Sequence, residues 1–283
     1  MKRILLTGAT GFIGRSILPL LKDKYDITAP NRSELDIVSQ QSVDAFLNDN
    51  HFDILLHLAA PNPLRNENDV PEERFNFIVR AFLNFERHSK KFEKVIYLGS
   101  GAEYNKAFDI NMAKEEDIGV TIPQDSYGYA KYILNTITRN SKNIYNLRIF
   151  GCYGPSDPKG KFITDAIDCC LQSKPITIRQ NCYFDYMFVE DLAVLISWFI
   201  ENNPKYHDYN AVTGKKASLY SIAEMVAQKM ENKLPIQVAK DGWNNEYTAN
   251  NERLLTETGN FEFTSLSDGI DRQILWQKQI LLR

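Results

Sequence analysis

The chain has 283 residues, 43% hydrophobic and 24% charged, with a formal net charge of -3 and 4 cysteines. Those fractions exclude disordered, collagenous and disulfide-stapled chains, and the length allows one large domain or two closely packed ones. With 33 Lys+Arg interspersed among 36 Asp+Glu, there is no broad positive field for nucleic acid or an anionic membrane, and neither is expected as a partner.

The longest largely apolar stretch, Leu192 to Ile200, is far too short to cross a bilayer. Met1 to Leu6 mimics the start of a secretory leader, but Thr7-Gly8 breaks the run and no small-residue cleavage site follows, so a cytoplasmic protein is expected. Cys152, Cys169, Cys170 and Cys182 lack CxxC spacing and the His residues are scattered singly, which predicts reduced thiols and no metal site.

In chain order, Lys2 to Thr7 reads as a strand, Ile13 to Lys22 as a helix, Asp26 to Ala29 as a strand and Ser39 to Asn48 as a helix. Ile54 to Leu58 (strand), Glu72 to Lys90 (helix), Lys94 to Leu98 (strand), Tyr127 to Asn140 (helix) and Ile144 to Phe150 (strand) continue the alternation. Such alternation implies right-handed crossovers in a parallel sheet, and the near-continuous apolar strands imply helices on both faces: a doubly wound α/β fold.

Beyond Phe150, residues 151 to 160 read as a turn-rich connection, then Phe162 to Gln172 as a helix and Pro175 to Arg179 as a strand. Asp185 to Val189 reads as a strand feeding a helix from Asp191 to Glu201 capped by Glu190-Asp191, and Ser218 to Met230 as a further helix before polar loops such as Gly242-Trp243-Asn244-Asn245. The expected division is a cofactor domain over 1–155, with a return segment at about 175–200, and a smaller C-terminal substrate lobe built from 156–174 and 201–283.

Gly8, Gly11 and Gly14 stand in Thr7-Gly8-Ala9-Thr10-Gly11-Phe12-Ile13-Gly14, between the first strand and the first helix. In a Rossmann-type unit the first such glycine permits the tight turn, the second admits a pyrophosphate, and the third lets the helix pack on the sheet. The phosphates then meet free N–H groups at a helix N-terminus. After the second strand come Asn31-Arg32-Ser33, and Arg32 suits a ribose 2'-phosphate, so NADP(H) is favoured over NAD(H).

Tyr127 and Lys131 are four apart at the start of a helix, hence on one face, and a nearby ammonium is expected to lower the phenol's pKa toward useful acid/base strength. Ser100 follows the strand Lys94 to Leu98, at the C-terminal edge of the sheet where α/β ligand sites form. Its hydroxyl would hydrogen-bond a substrate oxygen while Tyr127 moves the proton.

These motifs, with His57-Leu58-Ala59-Ala60, Leu147 to Pro155 and Asp185 to Leu192, resemble in family order the extended short-chain dehydrogenase/reductase family of nucleotide-sugar epimerases, dehydratases and reductases. The resemblance implies Tyr127 as general acid/base, Lys131 on the nicotinamide ribose, and Ser100 orienting the reacting oxygen. It implies that Thr10, Phe12 and Ile13 belong to the phosphate turn, with Asn31 beside Arg32 and with Asp36 and Ile37 flanking the adenine. Leu58, Ala59 and Ala60 would line the cofactor cleft, and Phe150 and Cys152 border the nicotinamide. Homodimerisation through the Glu72 to Lys90 and Tyr127 to Asn140 helices is implied as well.

Two departures narrow the chemistry. Dehydratases of the family follow the Ser/Thr with an Asp-Glu pair, where this chain has Gly101-Ala102; epimerase-reductases carry a Cys at the place of Ala102 and a later His near the place of Lys161. Glu103, the nearest carboxylate, should by strand alternation face away from Ala102. Phe184 stands where a basic residue commonly meets the nucleotide phosphate, which leaves Arg179 or Lys161 for that task. The expectation is an NADPH-dependent reductase of a nucleotide-linked 4-keto-6-deoxysugar, with Ser100, Gly101, Ala102, Lys161 and Arg179 toward the substrate. An NAD-retaining nucleotide-sugar 4-epimerase and a non-catalytic dinucleotide sensor are the alternatives.

Overall fold

The computed structural model describes residues 1–61 and 70–282. The first half runs β1 (Arg3–Thr7), α1 (Phe12–Lys22), β2 (Asp26–Thr28), α2 (Gln40–Asp49), β3 (Ile54–His57), α3 (Pro71–Glu86) and β4 (Lys94–Ser100). A 3-10 turn (Gly101–Tyr104) leads to β5 (Ile110–Ala113), α4 (Ser126–Arg139), β6 (Ile144–Ile149) and β7 (Gly151–Tyr153). Then come α5 (Phe162–Leu171), β8 (Thr177–Asn181), β9 (Tyr183–Phe188), α6 (Val189–Glu201), β10 (Asp208–Ala211) and β11 (Lys216–Ser218). The chain closes with α7 (Leu219–Lys229), β12 (Gln237–Trp243), β13 (Tyr247–Ala249), α8 (Glu252–Thr258) and α9 (Leu266–Leu281).

Six strands form one sheet in the order β10-β6-β4-β3-β1-β2, and every pairing in it is parallel. The apolar runs are buried on both faces because each strand alternates its contacts. Ile4, Leu6, Ile54, Leu56, Ile96 and Leu98 pack with Ile17 and Leu21 of α1 and Leu192 and Ile196 of α6. Leu5, Leu55, Val95 and Tyr97 meet Val43, Ile78, Phe82 and Leu134 of α2, α3 and α4 on the other side. Strand order reverses at β1, which has β2 on one side and β3 on the other, so the cleft opens beyond the C-terminal ends of β1, β3 and β4.

The second half departs from expectation in its pairing. The segment after Phe150 begins with a strand, β7, lying parallel to β9. Strands β8 and β9 do not return to the main sheet: β9 joins β11, β13 and β5, and β8 pairs β12. The return is made by α6, packed on α1, and by β10 beside β6. Gly242 and Trp243 lie in β12 and are not a loop. Helix α6 starts one residue after Phe188, and Asp191 accepts instead from Thr264 N–H and Oγ1. A third core, including Ile163, Ile167, Ile178, Phe188, Ile222 and Ile270, holds this lobe together.

All the cysteines are free. Among the described residues there is no His/Cys/Asp/Glu cluster able to hold a metal, and no helix is long and apolar enough to cross a membrane.

Candidate active site

The glycine turn is shaped by close approach. Gly8 has φ +83, and a Cβ there would sit 2.6 Å from the Ala59 nitrogen, so the turn nests against the end of β3. A Cβ on Gly14 would come within 2.2 Å of the Gly8 carbonyl, which is why α1 can begin so near the turn. Gly11 N–H donates to the Gly8 carbonyl at 3.1 Å. As N-cap of α1 it offers no side-chain cap, and no acidic residue occupies the first turn. The helix therefore presents free N–H groups without a repelling carboxylate, the donor set a pyrophosphate needs.

Above the turn lies a cleft of about 1300 Å³, large enough for a dinucleotide and a second ligand. Gly8, Thr10, Gly11, Phe12, Ile13 and Gly14 line it, followed by Asn31, Arg32, Asp36 and Ile37 at one end. Leu58, Ala59, Ala60, Phe150, Cys152 and Lys161 line it too, as do Ser100, Tyr127 and Lys131. Residues from seven separate segments thus meet at one opening.

Ser100 ends β4 and caps the 3-10 turn. Its Oγ accepts from Ala102 N–H at 3.2 Å, while Glu103 Oε1 accepts from Ser100 N–H at 2.9 Å. The Ser-x-x-Glu spacing of a capping box was therefore present in the sequence. Glu103 is fully buried in an ion pair with Arg148 at 2.7 Å. Ala102 and Glu103 are both enclosed by the turn, so strand alternation does not apply to them.

Lys131 is buried and its Nζ donates to the Leu98 carbonyl at 2.7 Å, 6.0 Å from the Tyr127 ring centre. Burial lowers the Lys131 ammonium to about 8, with Glu103 opposing. Burial also raises the Tyr127 phenol, with Ser100 pulling the other way. This departs from the expected lowering: desolvation is the largest influence on Tyr127, and the phenol keeps its proton at neutral pH. His57, hydrogen-bonded through Nδ1 to the Thr7 hydroxyl at 2.7 Å, is pushed by burial to about 3 and stays neutral. It ties the ends of β1 and β3 together without adding charge to the cleft.

Three expected substrate residues lie elsewhere. Gly101 and Ala102 are buried in the 3-10 turn, where a Cβ on Gly101 would strike the Phe150 ring at 2.6 Å. Arg179 is on an exposed position of β8 and does not line the cleft. Asp157 and Tyr247 are among the cleft residues that escaped the motifs. Asp157 is 6% exposed with Oδ1 unpartnered, and burial lifts its carboxyl to about 7 against the pull of Lys161. Tyr247, on β13, brings its hydroxyl 3.4 Å from Ser100 Oγ.

The parallel sheet, glycine turn and Ser-Tyr-Lys set define a nicotinamide-dinucleotide oxidoreductase. A model of the NAD dependent epimerase/dehydratase family matches residues 4–211, and the chain belongs to that family. It is 24% identical over 232 residues to the GDP-L-colitose synthase of Yersinia pseudotuberculosis, covering 72% of this chain and 73% of that protein. Its fold matches a GDP-mannoheptose C4 reductase from Campylobacter jejuni with NADP bound, at TM-score 0.84 and 17% identity, over 98% of each chain. It also matches UDP-glucose 4-epimerase from Thermotoga maritima with UDP-glucose, at TM-score 0.85 and 20% identity, over 99% of each chain.

Proposed function

We propose that the protein reduces the 4-keto group of a nucleotide-linked 4-keto-6-deoxysugar with NADPH. The observation that carries this reading is the wall formed by Ser100, Tyr127 and Lys131, on which the carboxylate nearest to Ser100 in the chain, Glu103, is locked to Arg148. An acid placed there would serve water elimination; its withdrawal leaves a hydroxyl pair suited to a carbonyl oxygen. The GDP-sugar chemistry in the names of the colitose synthase and the heptose reductase supports the substrate class.

When bound, NADPH supplies the hydride. The turn from Gly8 to Gly14 holds the pyrophosphate, and Arg32 binds the 2'-phosphate. Arg32 borders both the main cleft and a side cavity of about 830 Å³ that Arg80 also lines, so two guanidinium groups frame that end. Ser100 orients the ketone oxygen, Tyr127 gives it the phenolic proton, and Lys131, anchored on Leu98, fixes the ribose and Tyr127 together. Lys161, in the cleft, takes a phosphate of the sugar nucleotide. The working unit is proposed to be a cytoplasmic homodimer through α3 and α4, where Phe75 stacks on the exposed Tyr129.

The test is NADPH oxidation followed at its absorbance band with freshly made dTDP- or GDP-4-keto-6-deoxyhexose. Stoichiometric consumption is expected, and Tyr127→Phe should lose activity by roughly two to four orders of magnitude while still binding NADPH. No consumption with any such nucleotide removes the reductase reading. Purification with bound NAD and interconversion of hexoses without added cofactor would replace it with the 4-epimerase.

A further inference from the structure

We propose that Tyr247, delivered by the C-terminal lobe, is a positioning residue that donates its phenolic proton to Ser100 and so turns the Ser100 proton toward the substrate oxygen. The proposal rests on the reductase reading for the identity of that oxygen, but the hydroxyl pair itself is a property of the free protein.

The argument is an inventory of donors and acceptors. A serine hydroxyl has one proton to give and two lone pairs to offer. Ser100 Oγ already accepts from Ala102 N–H at 3.2 Å. Tyr247 Oη stands 3.4 Å from the same oxygen. Were Ser100 to give its proton to Tyr247, none would remain for a substrate carbonyl, which can only accept. If Tyr247 donates, both lone pairs of Ser100 are filled and its proton is left for the side of the cleft where Tyr127, which also hydrogen-bonds Ser100, and the substrate oxygen stand. Chained hydroxyls polarise one another, so the donor presented to the substrate is also the stronger for it. The separation exceeds a settled O–H···O bond, as such contacts do before a substrate closes the site.

The surroundings support the donor role. The Tyr247 ring is clamped between Phe150, at 4.6 Å, and Phe184, at 5.4 Å between centres. Those rings fix the phenol's direction, and its other polar neighbour, the Ala102 backbone N–H, can only donate, which leaves Ser100 to accept the phenolic proton. Burial holds the Tyr247 phenol well above its ordinary pKa, so it keeps its proton across the working range. The residue arrives on β13, which pairs β5 and β9 and is not part of the six-stranded sheet. Docking of the lobe and orientation of Ser100 are therefore one event.

Two measurements on the full chain test this. In protein labelled with 13Cζ-tyrosine and free of substrate, the Tyr247 resonance, assigned with Tyr247→Phe, should move in Ser100→Ala. An unmoved resonance refutes the hydrogen bond whatever the protein's substrate. In the NADPH assay, Tyr247→Phe, which keeps the ring between Phe150 and Phe184, should lower kcat roughly tenfold, leaving the Kd for NADPH and the Tm unchanged. In the Ser100→Ala background the same change should cost less than about twofold, because a residue acting through Ser100 has nothing left to orient. Equal losses in both backgrounds, or a wild-type kcat in Tyr247→Phe, overturn the positioning role. If the wild-type chain oxidises no NADPH with any 4-keto sugar, the reductase reading falls and the carbon resonance alone decides the hydroxyl pair.

Discussion

Lys131 is held at a cost that substitution should recover. Its ammonium is buried in the cleft wall and donates to the Leu98 carbonyl at 2.7 Å. Burial takes its pKa from the ordinary 10.5 to about 8, which at about 1.4 kcal/mol per tenfold amounts to about 3 kcal/mol against the charged folded state. Below pH 8 both folded and unfolded chains carry the proton and the full cost is present. As the pH rises from 8 to 10.5 the folded chain releases its proton first, and wild-type stability climbs. Lys131→Met removes the charge and also the bond to Leu98, the latter costing about 1 to 2 kcal/mol. The variant should therefore be more stable than wild type by about 1 kcal/mol at pH 7 and lose roughly 3 kcal/mol of that relative standing by pH 10.5. Urea unfolding of both proteins at pH 7, 8.5 and 10.5 measures the difference, with activity abolished throughout. Stability curves that stay parallel over that range would show that the buried ammonium carries no such cost.

Arg148→Met should lower stability by about 3 to 5 kcal/mol in thermal unfolding, because the fully buried guanidinium serves Glu103 at 2.7 Å and Asp208 at 2.9 Å at once; a loss below about 1 kcal/mol would contradict an interdependent network. Asp157 has its carboxyl raised from 3.8 to about 7, so the folded chain binds the extra proton between those values and wild-type stability falls as pH rises through them. Asp157→Asn should accordingly be more stable above pH 7, by at most about 4 kcal/mol, with the gain gone near pH 4; an equal difference at pH 8 and pH 4 would refute it. Arg32→Ala should raise the KM for NADPH roughly tenfold with little effect on that for NADH, and equal changes for both would detach Arg32 from the 2'-phosphate.

The cofactor half was legible because its signals are local. Leu5, Leu55 and Val95 sit in short apolar runs that only a strand covered on both faces can bury. The spacing of Gly8 and Gly14 states a steric requirement that the turn then displays. Tyr127 and Lys131 needed only the pitch of one helix to share a wall. Ser100 needed only its place at the end of an apolar strand.

What escaped reading depends on contacts between distant segments. Strand β10, Asp-Tyr-Asn-Ala, carries polar side chains at alternate positions and so looks half-exposed, yet Asp208 and Asn210 are buried at 3% and 0%. The reason lies on β6, where Arg148 donates to both, at 2.9 Å and 3.0 Å. Arg139 and Arg253 supply further donors to Asp208. A polar face that is satisfied only across a sheet gives no hydrophobic period, and periodicity is the signal by which strands are found. Tyr247 escaped for a related reason. Its short strand follows polar residues, and its placement is set by Ile110 and Phe184, each far away along the chain. The lobe therefore adds to the site a hydroxyl that the cofactor half lacks, and the motifs of that half are silent about it. Differences in chemistry among proteins sharing the Ser-Tyr-Lys wall are then to be sought on β13 and in the turn that carries Asp157, where side chains reach the cleft without belonging to the glycine-rich sheet.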